Sequence, residues 1–345
     1  MDDSIGGYFE LELPARQAPL YPQATEFQSA RAAFLALIRS GKPVCIWMPR
    51  YICASMIDTV MQAGVGIKYY SVDRNLHIAG VIDIKAGEWL LYVDYFSVRQ
   101  DYARQLLRQY GADRVVIDCS QALFSPPGEC LATIYSPRKF IGVPDGGLLV
   151  SRIPVKVPDQ EDTDSMDRCV HLIKRLAISP EAGYQDFHRS NASLERQVPR
   201  RMSRLTRRLL STIDFERIKS IRKANFECLH RGLGAKNLLQ IETPTSEGPF
   251  CYPMLSSNGN LHGDLISRRI FVARYWPELS GQPDCEQARY LARHLVPLPC
   301  DQRYTPADMQ KIIDTCHSSF AGHEKKVYGN YISQTNSAAK RSKAS

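Results

Sequence analysis

Three polar residues follow the ends of two apolar runs within residues 115–151 of this 345-residue chain. Asp118 closes the run VVI, Gln121 comes three residues later, and Lys139 comes shortly after the next run, ATIY. A lysine amine can attack a carbonyl carbon, and a carboxylate held nearby can stabilise a positive charge. The chemistry predicted for this stretch is therefore carbonyl chemistry through a lysine.

Pyridoxal 5'-phosphate (PLP) is a cofactor that needs such a lysine, because its aldehyde condenses with an amine as a Schiff base. It also needs a carboxylate against its ring nitrogen, which stays protonated and lets the ring accept electrons. A third group should hold the ring oxygen, and a helix N-terminus should hold the phosphate. Lys139, Asp118 and Gln121 supply the first three groups in a plausible order, so the sequence predicts a PLP site.

The elements that must position these residues alternate between strand and helix patterns. Alternation of this kind predicts an α/β fold with a mostly parallel sheet flanked by helices. In such sheets ligands bind beyond the carboxyl ends of the strands, where Asp118 and Lys139 are expected. The predicted strands are 44–48, 67–72, 88–96, 114–118, 131–136 and 146–151, and the predicted helices are 53–63 and 98–111.

The second half of the chain predicts a smaller α+β domain. A helix over 213–232 is expected to link the domains, with a strand in FCYPML, a helix in GDLISRRIF and a last helix in TPADMQKIIDTCHSSF. Thr305 is a candidate N-cap of that last helix, and Asp308 completes an acidic variant of a capping box. The predicted division is a large PLP-binding domain at 1–215, a small domain at 216–321 and a disordered basic tail at 322–345.

The formal net charge of +8 is concentrated in residues 196–223, which carry ten basic and two acidic residues. A segment of this kind can bind nucleic acid, contact the diphosphate of a nucleotide sugar, or form a solvated helix face. The arginines at 196–208 leave these alternatives open. Nucleic-acid binding is not expected, because no recognition motif accompanies the segment.

Composition excludes several other classes. No apolar run reaches the length of about 18 residues that suggests a membrane-spanning helix, and residues 1–17 lack the basic and apolar regions of a signal peptide. Ten cysteines without a Cys-x-x-Cys pair predict free, mostly buried thiols in the cytoplasm, and no zinc site. Cys169, His171 and His188 have no metal-binding spacing either, so no metal is expected.

The chain resembles the DegT/DnrJ/EryC1/StrS family of sugar aminotransferases, which are PLP-dependent transferases of fold type I with the aspartate aminotransferase-like architecture. The similarity spans roughly residues 7–320 and keeps the family's order of segments. The matching segments are FQSARAAFLAL, MPRYICASMIDTVMQAGVGIKYYSVD, VVIDCSQAL, YSPRKFIGVPDGGLLVS and LVPLPCDQRYTPADMQKII.

The resemblance implies a role for each matching residue. Lys139 would form the Schiff base with the cofactor and then shuttle a proton, Asp118 would pair with the pyridinium nitrogen, and Gln121 would bond near the phenolic oxygen. A phosphate cradle would consist of Ser29 and the backbone N–H groups of Ala30 and Arg31. The alternative for Ser29 is an ordinary helix N-cap.

The function implied is transfer of an amino group from an amino acid, with glutamate as the expected donor, to a keto sugar carried on a nucleotide. The pathway would be the synthesis of polysaccharide, lipopolysaccharide or a glycosylated metabolite. The family works as a homodimer with its sites at the interface, so a homodimer is expected here as well.

The sequence also departs from the family pattern. Ala30 replaces a glycine of the phosphate turn, Cys53 replaces an aromatic residue that stacks on the cofactor, and Arg138 replaces a small hydroxyl residue. Tyr51 or Trp47 are candidates to supply the missing ring. These departures keep two alternatives open: a regulatory protein with little turnover, or another PLP reaction on the same fold. The sugar dehydratase branch is disfavoured, because that branch has His where this chain has Lys139.

Overall fold

A seven-stranded sheet organises the first half of the molecule. The computed structural model describes residues 5–241, 247–281 and 285–341, with side chains described up to residue 323. The strands of the sheet are β1 (Thr25–Phe27), β2 (Cys45–Pro49), β3 (Gly66–Tyr70), β4 (Glu88–Val93), β5 (Val115–Cys119), β6 (Ala132–Tyr135) and β7 (Gly147–Ser151).

The strands lie in the order β1-β7-β6-β5-β4-β2-β3. Neighbours from β6 to β3 pair in parallel, whereas β7 is antiparallel to both β6 and β1. The predicted α/β sheet, mostly parallel and flanked by helices, is therefore confirmed, with β7 as the exception. Every residue of β4 and β5 is buried, as expected for parallel strands covered on both faces.

Helices flank the sheet, and further helices lie in the second half of the chain. The helices are α1 (Ala30–Gly41), α2 (Ala54–Gln62), α3 (Gln100–Tyr110), α4 (Ser165–Arg168), α5 (Val170–Ala177), α6 (Pro180–Ala192), α7 (Arg204–Leu210), α8 (Phe215–Leu233), α9 (Leu261–Ser267), α10 (Glu286–His294) and α11 (Pro306–Arg341). The helices predicted at 53–63 and 98–111 correspond to α2 and α3. Gly111 ends α3 at φ 87°, a conformation that glycine adopts without strain.

A second hydrophobic core lies among α8, α9, α11 and a two-stranded antiparallel sheet of β8 (Tyr252–Leu255) and β9 (Leu295–Leu298). The predicted linking helix begins two residues late, at Phe215, because the Asp214 side chain accepts a hydrogen bond from the Arg217 N–H at 3.0 Å and caps the helix. The small α+β unit predicted for this half is consistent with this core.

The capping box predicted at the start of α11 is present. The Thr305 N–H donates to the Asp308 carboxylate at 2.8 Å, and the Asp308 N–H donates to the Thr305 hydroxyl at 3.4 Å. The tail predicted to be disordered, 322–345, has a helical backbone as far as Arg341, and residues 342–345 lie outside the described residues. Among the described helices, none is long and apolar enough to cross a membrane.

Candidate functional site

The predicted site residues meet at one edge of the sheet. Asp118 lies at the end of β5, and Lys139 ends a 3-10 turn, Pro137–Lys139, that follows the parallel neighbour β6. Because β7 is antiparallel to β6, the beginning of β7 returns to this same edge. There Gly146 pairs with Ser29, immediately before α1. The carboxyl ends of the strands therefore bring together all the segments predicted to bind a cofactor.

Asp118 is a buried carboxylate in which one oxygen has no hydrogen-bond partner in the described chain. Its side chain is only 4% exposed. Oδ1 accepts the Ser120 N–H at 2.8 Å, and Oδ2 has no partner among the described residues. A buried charge needs a partner, so this oxygen is suited to a cationic N–H group.

Lys139 is exposed, and its amine has no hydrogen-bond or ion-pair partner in the described chain. The backbone around it is well ordered by local bonds, since the Lys139 N–H donates to the Ser136 carbonyl at 3.1 Å and the Phe140 N–H donates to the Pro137 carbonyl at 2.9 Å. A fixed turn with an unpaired amine is suited to covalent chemistry at Nζ.

Gln121 supports a strained turn after β4. Its side-chain Oε1 accepts the Phe96 N–H at 3.1 Å, and its backbone carbonyl accepts the Ser97 hydroxyl at 2.7 Å. Phe96 and Ser97 both have left-handed φ angles, 58° and 63°, which cost energy for non-glycine residues. Only the amide nitrogen of Gln121 lacks a partner in the described chain, so a bond to a cofactor oxygen, which stays a prediction, would have to come from this nitrogen.

Asp94 belongs to the same edge, and sequence reasoning missed it. Its N–H donates to the Asp118 carbonyl at 3.0 Å, and its carboxylate accepts the Ser125 hydroxyl at 2.8 Å and the Arg99 N–H at 3.3 Å. Burial raises the pKa of Asp94 to about 6. The available signal was an acid directly after the apolar run LLYV, the same pattern that identified Asp118.

Ser29 is the N-cap of α1, since its hydroxyl accepts the Ala32 N–H at 3.1 Å. The N-cap alternative is thus what the structure shows for this side chain. The first N–H groups of a helix lack intrahelical acceptors and favour an anion, which keeps the backbone of Ala30 and Arg31 suited to a phosphate. Their role as cofactor ligands stays a prediction.

Two glycines join the lysine segment to this helix start. Gly146 has φ +117°, and a Cβ on Gly147 would lie 2.2 to 2.4 Å from backbone atoms of Ser29 and Ala30. Real Cβ atoms do not approach backbone this closely, so only glycine allows the contact. The glycines, which alone suggest a simple turn, also bring the lysine segment onto the proposed phosphate cradle.

Arg31 and Arg138 carry positive charge to the same place. Both guanidinium groups are partly buried, and neither has an ion-pair or hydrogen-bond partner in the described chain. Burial and the nearby Arg31 lower the pKa of Arg138 to about 10, and burial lowers the pKa of Arg31. Two partly desolvated cations beside a helix N-terminus favour an anionic ligand such as a phosphate.

The candidate replacements for the missing aromatic ring have other contacts. Tyr51 is 1% exposed and packs edge-on against Trp276, with 4.4 Å between ring centroids. Trp47 donates from Nε1 to Glu88 at 2.9 Å and aligns with Leu90, three residues before the end of β4. Neither ring is positioned as a simple substitute for an aromatic residue at Cys53.

Two of the six arginines at 196–208 form ion pairs with acids of the described chain. Arg207 pairs with Glu26 at 2.7 Å, and Arg200 lies 3.6 Å from Asp164. These ion pairs favour a structural role for Arg200 and Arg207.

A different cleft, of about 320 Å³, carries unpaired arginines. Arg74, Arg289 and Arg293 line it together with Tyr290 and other residues, and in the described chain none of the three guanidinium groups has an ion pair. The Arg74 guanidinium lies 4.4 Å from the centre of the Tyr290 ring. Cations with an aromatic face suit a ligand that combines phosphate with a ring.

All ten cysteines are unpaired, and seven of them are buried, which confirms the prediction of free, mostly buried thiols. His171 is nine per cent exposed and packs against Phe187, with 5.6 Å between ring centroids. Within the described residues, no group of three or more His, Cys, Asp or Glu side chains could hold a metal ion.

No protein-family model matches the chain. No curated protein matches it either. Solved structures do match, and all of the following are similar in fold at low sequence identity.

A DegT DnrJ EryC1 StrS aminotransferase from Brucella abortus matches with a TM-score of 0.57 and 14% identity, over 86% of this chain and 85% of that one. DesI, solved in the presence of its TDP-sugar product, matches with a TM-score of 0.58 and 14% identity, over 89% and 83%. NtdA from Bacillus subtilis, solved with bound cofactor PMP, matches with a TM-score of 0.59 and 12% identity, over 86% and 73%. The chain therefore has the fold of these aminotransferases, the fold type I architecture expected from its sequence.

Proposed function

We propose that this protein is a PLP-dependent aminotransferase of the DegT/DnrJ/EryC1/StrS type. The observation that carries the proposal is that one sheet edge holds both the buried carboxylate of Asp118, with one oxygen free to accept a bond, and the amine of Lys139, which has no partner in the described chain. The fold likeness to NtdA, which was solved with PMP, supports the same cofactor.

The residues present fit PLP. Asp118 Oδ2 would accept from the protonated ring nitrogen, the start of α1 would hold the phosphate, and the Gln121 amide would donate to the ring oxygen. Arg31 and Arg138 add charge where the phosphate would lie. When bound, PLP supplies an aldehyde for transfer of the amino group and a ring that accepts electrons.

The role of Lys139 follows from its amine. Nζ would hold the cofactor by its aldehyde group until the amine of the amino donor takes that place. Once free, Nζ can take a proton from the substrate carbon and return it at the cofactor carbon. Asp118 would face the ring nitrogen throughout.

We infer that the amino acceptor is a keto sugar linked to a nucleotide, with glutamate as the donor. DesI was solved with a TDP-sugar product. In this chain the cleft of Arg74, Arg289 and Arg293 offers the unpaired cations that a diphosphate requires. Products of this class would enter polysaccharide or lipopolysaccharide synthesis.

We also propose a cytoplasmic homodimer. The free cysteines support a reducing compartment. Helix α5 exposes large apolar side chains three residues apart, with Ile173 61% and Leu176 90% exposed, and exposed apolar surface on a folded chain favours a protein contact. Sedimentation should show a dimer that Leu176→Glu weakens, with Met61→Glu, at an equally apolar exposed site on α2, as the control.

The function is tested by titrating the purified protein with PLP, reducing with borohydride and mapping the modified peptide. We expect label on Lys139, loss of label in Lys139→Ala, and normal label in Lys156→Ala, a control at another exposed lysine. In a separate, unreduced sample, glutamate should convert bound PLP to the amine form. Label without conversion would support the low-turnover alternative, and no label on Lys139 would refute the proposal.

A further inference from the structure

The carbonyl of Phe140, directly after Lys139, is bound by side chains from distant parts of the chain. Arg222 on α8 donates from Nη2 at 3.2 Å, and Gln302 donates from Nε2 at 2.9 Å. The backbone N–H groups of the turn bond within the turn itself. This carbonyl is therefore one point at which distant parts of the chain hold the lysine turn.

Arg222 is a fully buried cation, 2% exposed, that bonds only to neutral groups in the described chain. Nη1 donates to the carbonyls of Pro249 and Phe250 at 3.0 and 3.1 Å. The guanidinium also lies 4.7 Å from the centre of the Phe140 ring. Burying a charge without a carboxylate partner is costly, and here one donor of that charge, Nη2, reaches the segment that carries Lys139.

Gln302 closes a ring of hydrogen bonds. Its Oε1 accepts from Arg222 Nε at 2.8 Å, while its Nε2 donates to the Phe140 carbonyl. Each side chain thus orients the other against the same acceptor, and loss of either weakens both contacts.

The ring joins the second core to the lysine turn. Arg222 lies on α8 and Gln302 follows β9, and both elements belong to the second core, whereas Ser136 and Pro137 continue from β6 of the large sheet. The turn is therefore fixed from the sheet on one side and from the second core on the other. Displacing the turn would move the backbone atoms from which the Lys139 side chain extends.

We propose that Arg222 is a positioning residue for Lys139, with Gln302 as its partner, and that it aims the amine at the cofactor aldehyde. The inference rests on the proposed function. Because a displacement of about 1 Å can slow a positioned reaction by about a hundredfold, loss of Arg222 should impair the covalent link more than binding of the cofactor as such.

The test separates these two quantities. Pyridoxamine phosphate shares the ring and phosphate of PLP but has an amine instead of an aldehyde, so its binding needs no bond to Lys139. For Arg222→Met we expect the rate of borohydride-trapped label on Lys139 to fall about tenfold or more, with pyridoxamine phosphate affinity within about twofold of wild type. Arg217→Met, which removes an exposed arginine of the same helix, should change neither quantity.

Conservative variants keep the test decisive if Arg222→Met does not fold. Gln302→Leu should slow labelling to a smaller extent, and Arg222→Lys, which can still donate to the Phe140 carbonyl, should restore part of the rate. If Arg222 has a purely structural role, the labelling rate and the affinity for pyridoxamine phosphate should fall together, or neither should change. Normal labelling in the folded variants would overturn the inference alone, whereas an unlabelled wild type would overturn the proposed function with it.

Discussion

Replacing Asp94 by asparagine should remove a pH dependence of stability that burial gives to this fold. Asp94 is 1% exposed, and burial raises its pKa from 3.8 to about 6. In the unfolded chain the carboxyl keeps its ordinary pKa, about 3.9. Between these values the folded protein holds a proton that the unfolded chain has released, so the free energy of unfolding falls as pH rises.

The expected size follows from the shift. Roughly two pKa units at about 1.36 kcal/mol each give about 3 kcal/mol. This stabilisation is fully present below pH about 4 and is lost as pH rises through about 6. Asparagine has nearly the same shape and no charge, so the variant lacks this loss.

Urea unfolding of the cofactor-free protein at pH 4 to 7 measures the effect. The free energy of unfolding of Asp94→Asn minus that of wild type should rise by about 2 kcal/mol across this range, because the unfolded carboxyl is already half ionised at pH 4, on top of any constant offset from altered hydrogen bonds. Ser125→Ala removes the hydroxyl that donates to Asp94 at 2.8 Å and lowers its pKa. That variant should therefore move the transition to higher pH.

A flat difference between Asp94→Asn and wild type would refute the reasoning. It would mean that the bonds from Ser125 and Arg99 offset the desolvation of the carboxylate. A difference that falls with pH would mean that the folded protein prefers the ionised form, with a pKa below its ordinary value.

Three further predictions follow from the geometry. Gly147→Ala places a Cβ against the backbone of Ser29. It should lower the free energy of urea unfolding by about 1–3 kcal/mol or more and weaken binding of pyridoxamine phosphate. An unchanged stability and an unchanged affinity would contradict the close approach. Thr305→Ala should cost about 1 kcal/mol of unfolding free energy, and no loss would show that the capping box contributes nothing. Arg289→Met combined with Arg293→Met should weaken binding of a nucleoside diphosphate at least tenfold by calorimetry without changing the label on the catalytic lysine; equal affinity would remove the cleft from substrate binding.

Local pattern was enough for the elements and for the order of the chemical groups. Apolar runs marked β4, β5 and β6, because strands buried on both faces must be apolar throughout. Asp118 ends one such run and Lys139 comes shortly after the next, so both could be placed at the carboxyl edge, where ligands of parallel sheets bind. The capping box at Thr305 was readable because all of its bonds form within three residues.

Contacts between distant residues were decided only by the tertiary structure. The antiparallel direction of β7, the bond of Asp94 to Asp118 and the left-handed turn at Phe96 leave no periodic signal in the sequence. The same holds for Arg222, which meets the Phe140 carbonyl across 82 positions of the chain. The sequence alone determined which side chains lie at the strand ends, because side-chain type and periodicity are local properties. Only the tertiary structure decided which distant residues form hydrogen bonds to these segments, because a buried donor bonds to whichever acceptor the fold brings within reach.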